Sequence, residues 1–146
     1  MYSLNEPLLY NSFFNEVIYR FTWLRSFHNP LVFRLVHSND QNLLFVKKSN
    51  GKGGYGPGEI IIDSCLIISE NEWNRFMKII AEINFWDLSP IEETQVMGAD
   101  GAHWIFEGLK NNEYHMVDRW SGYEKETSKA CLYLLELSKL KIEDIY

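Results

Sequence analysis

The chain has 146 residues, of which 46% are hydrophobic and 15% aromatic, so it is long enough and apolar enough to bury a core of its own. Its formal net charge of −6 disfavours nucleic acid as a partner, because a phosphate backbone attracts positive charge. No apolar run approaches the ~20 residues of a membrane span, and no secretory signal follows Met1, so we expect a cytoplasmic protein without membrane contact. A chain from which a leader had been removed would look the same.

The first part of the chain carries two overlapping patterns. Within residues 8–27, a helical spacing of apolar residues competes with a strand-like alternation that begins near Tyr19. We predict a short helix that runs into a strand over residues 18–25. Whether residues 1–8 are ordered or disordered is left open. Pro30 interrupts this pattern because proline lacks a backbone donor.

Three more strands are predicted before the middle of the chain. Residues 31–37, 42–48 and 59–68 are rich in β-branched and aromatic side chains. A turn over residues 38–40 separates the first two, and a glycine-rich loop over residues 50–58 precedes the third.

The clearest helix signal follows these strands. Ser69 and Glu72 form a capping box, in which each side chain satisfies a free amide of the first helical turn. Apolar residues then recur at helical spacing, and the helix is predicted to end near Phe85, ahead of Pro90.

The last third of the chain is predicted to form a hairpin and a helix. Residues 103–109 and 114–120 alternate as strands around the turn residues Asn111 and Asn112, which tolerate positive φ. Residues 125–139 form a helix that is apolar on nearly all sides, which indicates packing against a sheet.

These elements predict an α+β fold in one domain over residues 1–146. The order is roughly (α)ββββαββα, with an antiparallel sheet of about five to six strands and the helices mainly on one face. The predicted core consists of Trp73, Phe76, Met77, Ile80, Trp104, Phe106, Val117, Leu134 and Leu135.

Four stretches of the sequence carry a resemblance: residues 20–25 (RFTWLR), 53–58 (GGYGPG), 98–104 (GADGAHW) and 114–121 (YHMVDRWS). On these, the chain resembles a family of uncharacterised bacterial single-domain proteins over about residues 18–140. The resemblance implies a bacterial origin and one domain, and it implies no activity.

The cysteines and the glycine-rich loop resemble known motifs but lack the context that those motifs require. The two cysteines, Cys65 and Cys131, form no C-x-x-C pair and lie in apolar runs, so we predict buried free thiols and a reducing compartment. Residues 51–56 match G-x-G-x-x-G, but a β-branched run follows them where dinucleotide binding requires a helix N-terminus. We therefore predict no cofactor and no nucleotide binding.

The hairpin register decides which polar residues share a face. If Asn111 and Asn112 form the turn, His103, Glu107 and Asp118 lie on one side. The other side is mostly apolar and is predicted to face the core. There Trp104 and Arg119 face one another, where they could form a cation–π pair.

The polar side of the hairpin is the candidate catalytic cluster. Asp100, His103, Glu107 and Asp118 could act as acid and base or approach a divalent ion. Alternation on an exposed face also gathers polar residues by default, and His103 and Glu107 are about 13 Å apart along the strand. We expect a stripe of solvated side chains without a metal, in which only Asp100 with His103, or Glu107 with Asp118, converge.

Three functions follow from these patterns. We expect a non-catalytic domain that binds another protein, and antitoxin-like or immunity-like proteins offer an analogy of size and charge alone. The first alternative is a small metal-assisted hydrolase built on the polar side of the hairpin. The second is a small-ligand module that uses the glycine-rich loop. Candidate ligand-binding or partner-binding residues are Trp23, Tyr55, His115, Arg119 and Trp120.

Overall fold

The computed structural model describes residues 4–12, 14–39, 41–52, 56, 58–92, 100–142 and 144–146. Its strands and helices, in chain order, are β1 (Val17–Arg25), β2 (Leu31–Ser38), β3 (Gln41–Ser49), β4 (Ile60–Ile68), α1 (Glu70–Glu82), β5 (Ala102–Lys110), β6 (Glu113–Trp120) and α2 (Ser128–Ser138). A short 3-10 turn, Phe85–Asp87, follows α1.

The strands form one antiparallel sheet in the order β4-β3-β2-β1-β5-β6. The predicted α+β class with an antiparallel sheet is therefore confirmed. The short helix predicted ahead of β1 is wrong, because residues 5–12 and 14–16 form turns and irregular chain. In that stretch Leu9 and Phe14 pack on a sheet face without forming a helix, although the apolar spacing resembles that of one.

One face of the sheet, which we call the helix face, packs against both helices. The ring of Tyr19 on β1 lies 5.2 Å from that of Phe76 on α1, and Phe76 stacks on Tyr133 of α2 at 6.4 Å. Of the predicted core residues, only Met77 is partly exposed, and the others are buried. The central strand β1 is buried on both faces, which explains why its sequence reads as nearly continuous apolar chain.

Two local predictions are confirmed at atomic detail. The hydroxyl of Ser69 accepts from the amide of Glu72, and the Glu72 carboxylate accepts from the amide of Ser69 at 2.8 Å. In the hairpin, Asn111 and Asn112 take φ values of 52° and 63°, and Lys110 pairs with Glu113. Both motifs depend on neighbours in sequence, so the sequence is sufficient to predict them.

The opposite face of the sheet is partly covered by residues 4–12, which we call the cover segment. Leu9 of this segment is fully buried against Ile18, Val36 and Leu109. The cover segment thus forms a second, smaller apolar cluster on the side away from the helices.

The prediction that both cysteines are buried is half wrong. Cys131 is buried in α2, and burial raises the pKa of its thiol well above the ordinary value. Cys65 is exposed, because it lies on β4 at the outer edge of the sheet. No helix in the described ranges is both long and apolar enough to cross a membrane.

Candidate functional site

The polar residues of the hairpin do not form the single stripe that the sequence predicts. His103 Nδ1 lies 3.0 Å from Asp118 Oδ1, so this diagonal pair converges in place of the two expected pairs. Asp100 is exposed at the start of the hairpin, and Glu107 is buried. Within the described ranges, no three His, Cys, Asp or Glu side chains are placed to hold a metal ion.

Glu107 belongs to a buried charge network on the face of the sheet that lies opposite to the helix face. Arg20 donates to both oxygens of its carboxylate, from Nε at 2.6 Å and from Nη2 at 2.8 Å. The hydroxyl of Tyr114 donates to Glu107 Oε1 at 2.9 Å. Burial, reinforced by the negative charge of Glu107, raises the pKa of Tyr114. The expectation that Glu107 is solvated is therefore wrong.

The cover segment supplies the second carboxylate of this network. Glu6 Oε2 accepts from Arg34 Nε at 2.8 Å, and Glu6 Oε1 lies 3.1 Å from Lys47 Nζ. Lys47 also donates to the main-chain oxygens of Leu4 and Asn5, at 3.0 and 2.9 Å. Arg20 on β1 also donates from Nη1 to the oxygen of Pro7 at 2.7 Å, so the network fixes the cover segment to three adjacent strands of the sheet.

A depression of about 300 Å³ lies beside this network, between the cover segment and the sheet. Its lining includes Pro7, Leu8 and Tyr10 with the polar groups of Arg20, Glu107 and Tyr114. Those polar groups already satisfy one another. A polar ligand would have to break charge-assisted hydrogen bonds inside the protein, so the depression has little to offer it.

Of the predicted ligand-binding or partner-binding residues, most lie in or near the core. Trp23 is fully buried, and its indole nitrogen donates to the oxygen of Tyr146 at 3.3 Å. His115 packs against the ring of Phe85 at 5.0 Å. Trp120 is half-buried against His103, and Tyr55 lies outside the described residues.

Arg119, the last of these residues, is buried as well. It lies opposite Trp104 as predicted, but its guanidinium makes no cation–π contact there, because it is drawn to the main-chain oxygens of Ser89 and Pro90. Its Nε lies 3.3 Å from a carboxylate oxygen of Glu126. The side chain is buried and serves as an anchor for the chain that follows α1.

That chain contacts one edge of the sheet at Asp118. The amide of Asp118, on the edge strand β6, donates to the oxygen of Pro90 at 2.8 Å, and Ile91 forms a parallel bridge with Asp118. Charged side chains accompany this contact, including Arg119. The chain after α1 therefore blocks this edge at Asp118, where another strand could not pair.

The other edge of the sheet, the outer side of β4, is open. No described segment pairs with it beyond β3. The strand has nine residues and one charged side chain, Asp63, and contains no lysine, arginine or proline. A bulge near Ser49 leaves Ile61 without a direct partner, while Ile62–Ile68 pair regularly with β3.

Exposed apolar surface coincides with this open edge. Ile67 is 86% exposed and Ile61 is 53% exposed. Ile67 also ends a row of directly paired apolar residues that crosses five strands of the opposite face. The row runs through Leu109, Ile18, Val36, Leu43 and Ile67. The cover segment lies over the first part of the row and leaves the β4 end bare.

No family model matches the chain, and no curated protein is significantly similar to it in sequence. The geometry of the two edges is therefore the main guide to what the protein does.

Proposed function

We propose that this protein is a non-catalytic protein-interaction domain that binds an extended segment of its partner along the outer edge of β4. The observation that carries the proposal is the contrast between the two edges of one sheet. Within the described chain, β6 is bridged at Asp118 by Pro90 and Ile91, whereas no segment pairs with the outer side of β4, which is long and apolar. Proteins usually protect an edge of this kind with lysine, proline or a covering loop.

An unpaired edge strand has a use if an extended segment of a partner pairs with it as an additional strand of the sheet. The free amides and carbonyls of β4 offer main-chain hydrogen bonds, which give affinity to any extended segment. The bare end of the apolar row at Ile67 adds a contact for apolar side chains of that segment, which gives selectivity. A bacterial origin, which the resemblance implies, is part of the proposal. Antitoxin-like and immunity-like proteins also work by binding one protein partner.

The two alternatives have less support. A metal-assisted hydrolase would need the side chains of Asp100, His103, Glu107 and Asp118 to converge. The carboxylate of Glu107 is instead bound to Arg20, away from the pair formed by His103 and Asp118. The small-ligand module was predicted at the glycine-rich loop, of which residues 53–55 and 57 lie outside the described residues. Beside the 300 Å³ depression, the polar groups of Arg20, Glu107 and Tyr114 are bonded to one another and leave little for a ligand.

The proposal is tested by selecting a displayed library of random octapeptides on three forms of the chain, each immobilised at low density so that the β4 edges of neighbouring molecules do not meet. These are the wild type, the double variant Ser64→Lys, Ile67→Lys on β4, and the matched control Leu8→Lys, Ile91→Lys. All four positions are exposed, so each variant should keep the wild-type thermal midpoint.

We expect the wild type and the control to enrich peptides with alternating apolar residues. The β4 variant should lose this enrichment, because lysine on an edge strand opposes pairing. Equal enrichment on all three forms, or none on the wild type, would contradict the proposal.

A further inference from the structure

We infer that the strand which occupies the β4 edge is β4 of a second copy of this chain, paired antiparallel about Ser64. This inference rests on the proposed function and names the partner of that same edge. It requires that β4 be a good partner for itself, and the sequence of the strand meets this requirement.

The strand Ile60–Ile68 reads nearly the same in both directions: three isoleucines, then aspartate, serine and cysteine, then leucine and two isoleucines. In an antiparallel pair centred on Ser64, Ser64 faces its own copy and Ile62 faces Leu66. Asp63 then faces Cys65, and Ile61 faces Ile67. Every branched apolar side chain therefore meets another, and two hydroxyls meet at the centre, as favourable cross-strand pairs do.

Neighbouring registers are worse. Side chains that face one another across an antiparallel pair point to the same side of the sheet. The two-fold axis of the pair must therefore pass through one residue of β4 and cannot lie between two residues. A pair centred on Asp63 places two carboxylates opposite each other, which is unfavourable. A pair centred on Cys65 places each Asp63 opposite Ile67, which leaves a charge against an apolar side chain. Charge thus favours the Ser64 centre.

The proposed pairing also gives a closed dimer. A two-fold axis normal to the sheet at Ser64 uses the same surface on both copies, so each open edge is consumed and no further chain can add. The two six-stranded sheets then join into one, with the β6 strands, each bridged at Asp118, at its outer ends. The bulge near Ser49 lies at the end of β4 and leaves Ile62–Leu66, the central pairs, regular.

The register centred on Ser64 predicts opposite effects on dimer stability for lysine at two adjacent exposed positions. Ser64→Lys places two ammonium groups face to face on the axis, so the dimer should dissociate at least about tenfold more readily. Cys65→Lys adds the same charge one residue away, but that ammonium faces Asp63 of the other copy. This matched variant should keep the dimer.

Sedimentation equilibrium at micromolar to submillimolar concentrations measures both effects. We expect the wild type and Cys65→Lys to approach twice the 17.2 kDa of one chain, and Ser64→Lys to remain monomeric with an unchanged thermal midpoint. A monomeric wild type would overturn the inference, as would a dimer that survives Ser64→Lys or one that Cys65→Lys also disperses. If the wild type is monomeric yet selects octapeptides through β4, the inference fails and the proposed function stands.

Discussion

At the scale of single residues, the pair formed by Arg20 and Glu107 is the main finding. Both side chains are almost fully buried, and the two residues are 87 positions apart in the chain. Such a pair adds little stability over apolar residues of the same size, but it is costly to break, because the remaining charge has no partner. Its effect is to hold the cover segment and β5 in one arrangement.

Truncation of Glu107 should therefore be strongly destabilising. We expect Glu107→Ala to lower the free energy of unfolding by about 3–5 kcal/mol, because Arg20 loses its bidentate carboxylate and keeps only Glu6, 3.6 Å from its Nη1, as a counter-charge. The exposed Glu113→Ala on β6 is the matched control and should change it by less than about 0.5 kcal/mol. Urea unfolding followed by tryptophan fluorescence measures both. A cost below about 1 kcal/mol for Glu107→Ala would mean that water reaches the network.

The residue scale also separates what the sequence can predict from what it cannot. The face of each hairpin residue follows from the turn at Asn111 and Asn112, so the positions of His103, Glu107 and Asp118 were predictable. The burial of Glu107 was not, because it depends on the pairing of β5 with β1 and on the cover segment. An arginine inside the apolar run of β1 was the one available sign of a buried ion pair.

At the scale of elements, α1 and β4 illustrate two kinds of signal. The start of α1 is specified by the capping box, whose partners are three residues apart. β4 is specified as a strand by its β-branched run, but a short apolar run is equally typical of a strand buried on both faces. Only the sheet order identifies it as an edge, and this is why the exposure of Cys65 was missed.

The capping box gives a prediction about acid stability. The Ser69 hydroxyl, and then the Ser69 amide, lower the pKa of Glu72 by donating hydrogen bonds to its carboxylate. Because the folded-state pKa is below the unfolded one, this stabilisation is present above the unfolded pKa and is lost as the pH falls through the folded pKa. Glutamine still completes a capping box but cannot ionise.

The stability difference between the wild type and Glu72→Gln should therefore shrink toward zero as the pH falls from about 6 to about 3. Thermal unfolding at a series of pH values measures the difference. The same comparison on a Ser69→Ala background should vary less with pH, because one donor is gone. A difference that is constant over this range would contradict the assigned role of Glu72.

At the scale of the whole molecule, the two faces and the two edges of the sheet have different roles. The helix face holds the core, and the opposite face holds a charge network under the cover segment. In the described chain the β6 edge is bridged at Asp118, and no segment pairs with the outer side of β4. Composition and periodicity predict that a core and a sheet exist. They do not predict strand order, and strand order decides which surface is left for a partner.

The most direct test of this account is residue-resolved amide hydrogen exchange on dilute protein, without and with the tightest octapeptide from the selection. We predict that every second amide of Ile60–Ile68 exchanges more slowly when the peptide is bound, because only alternate amides of an edge strand point outward. The amides of Glu113–Trp120 should be unchanged. Unchanged exchange along β4, or protection that appears on another surface, would contradict the claim that the β4 edge is the binding site.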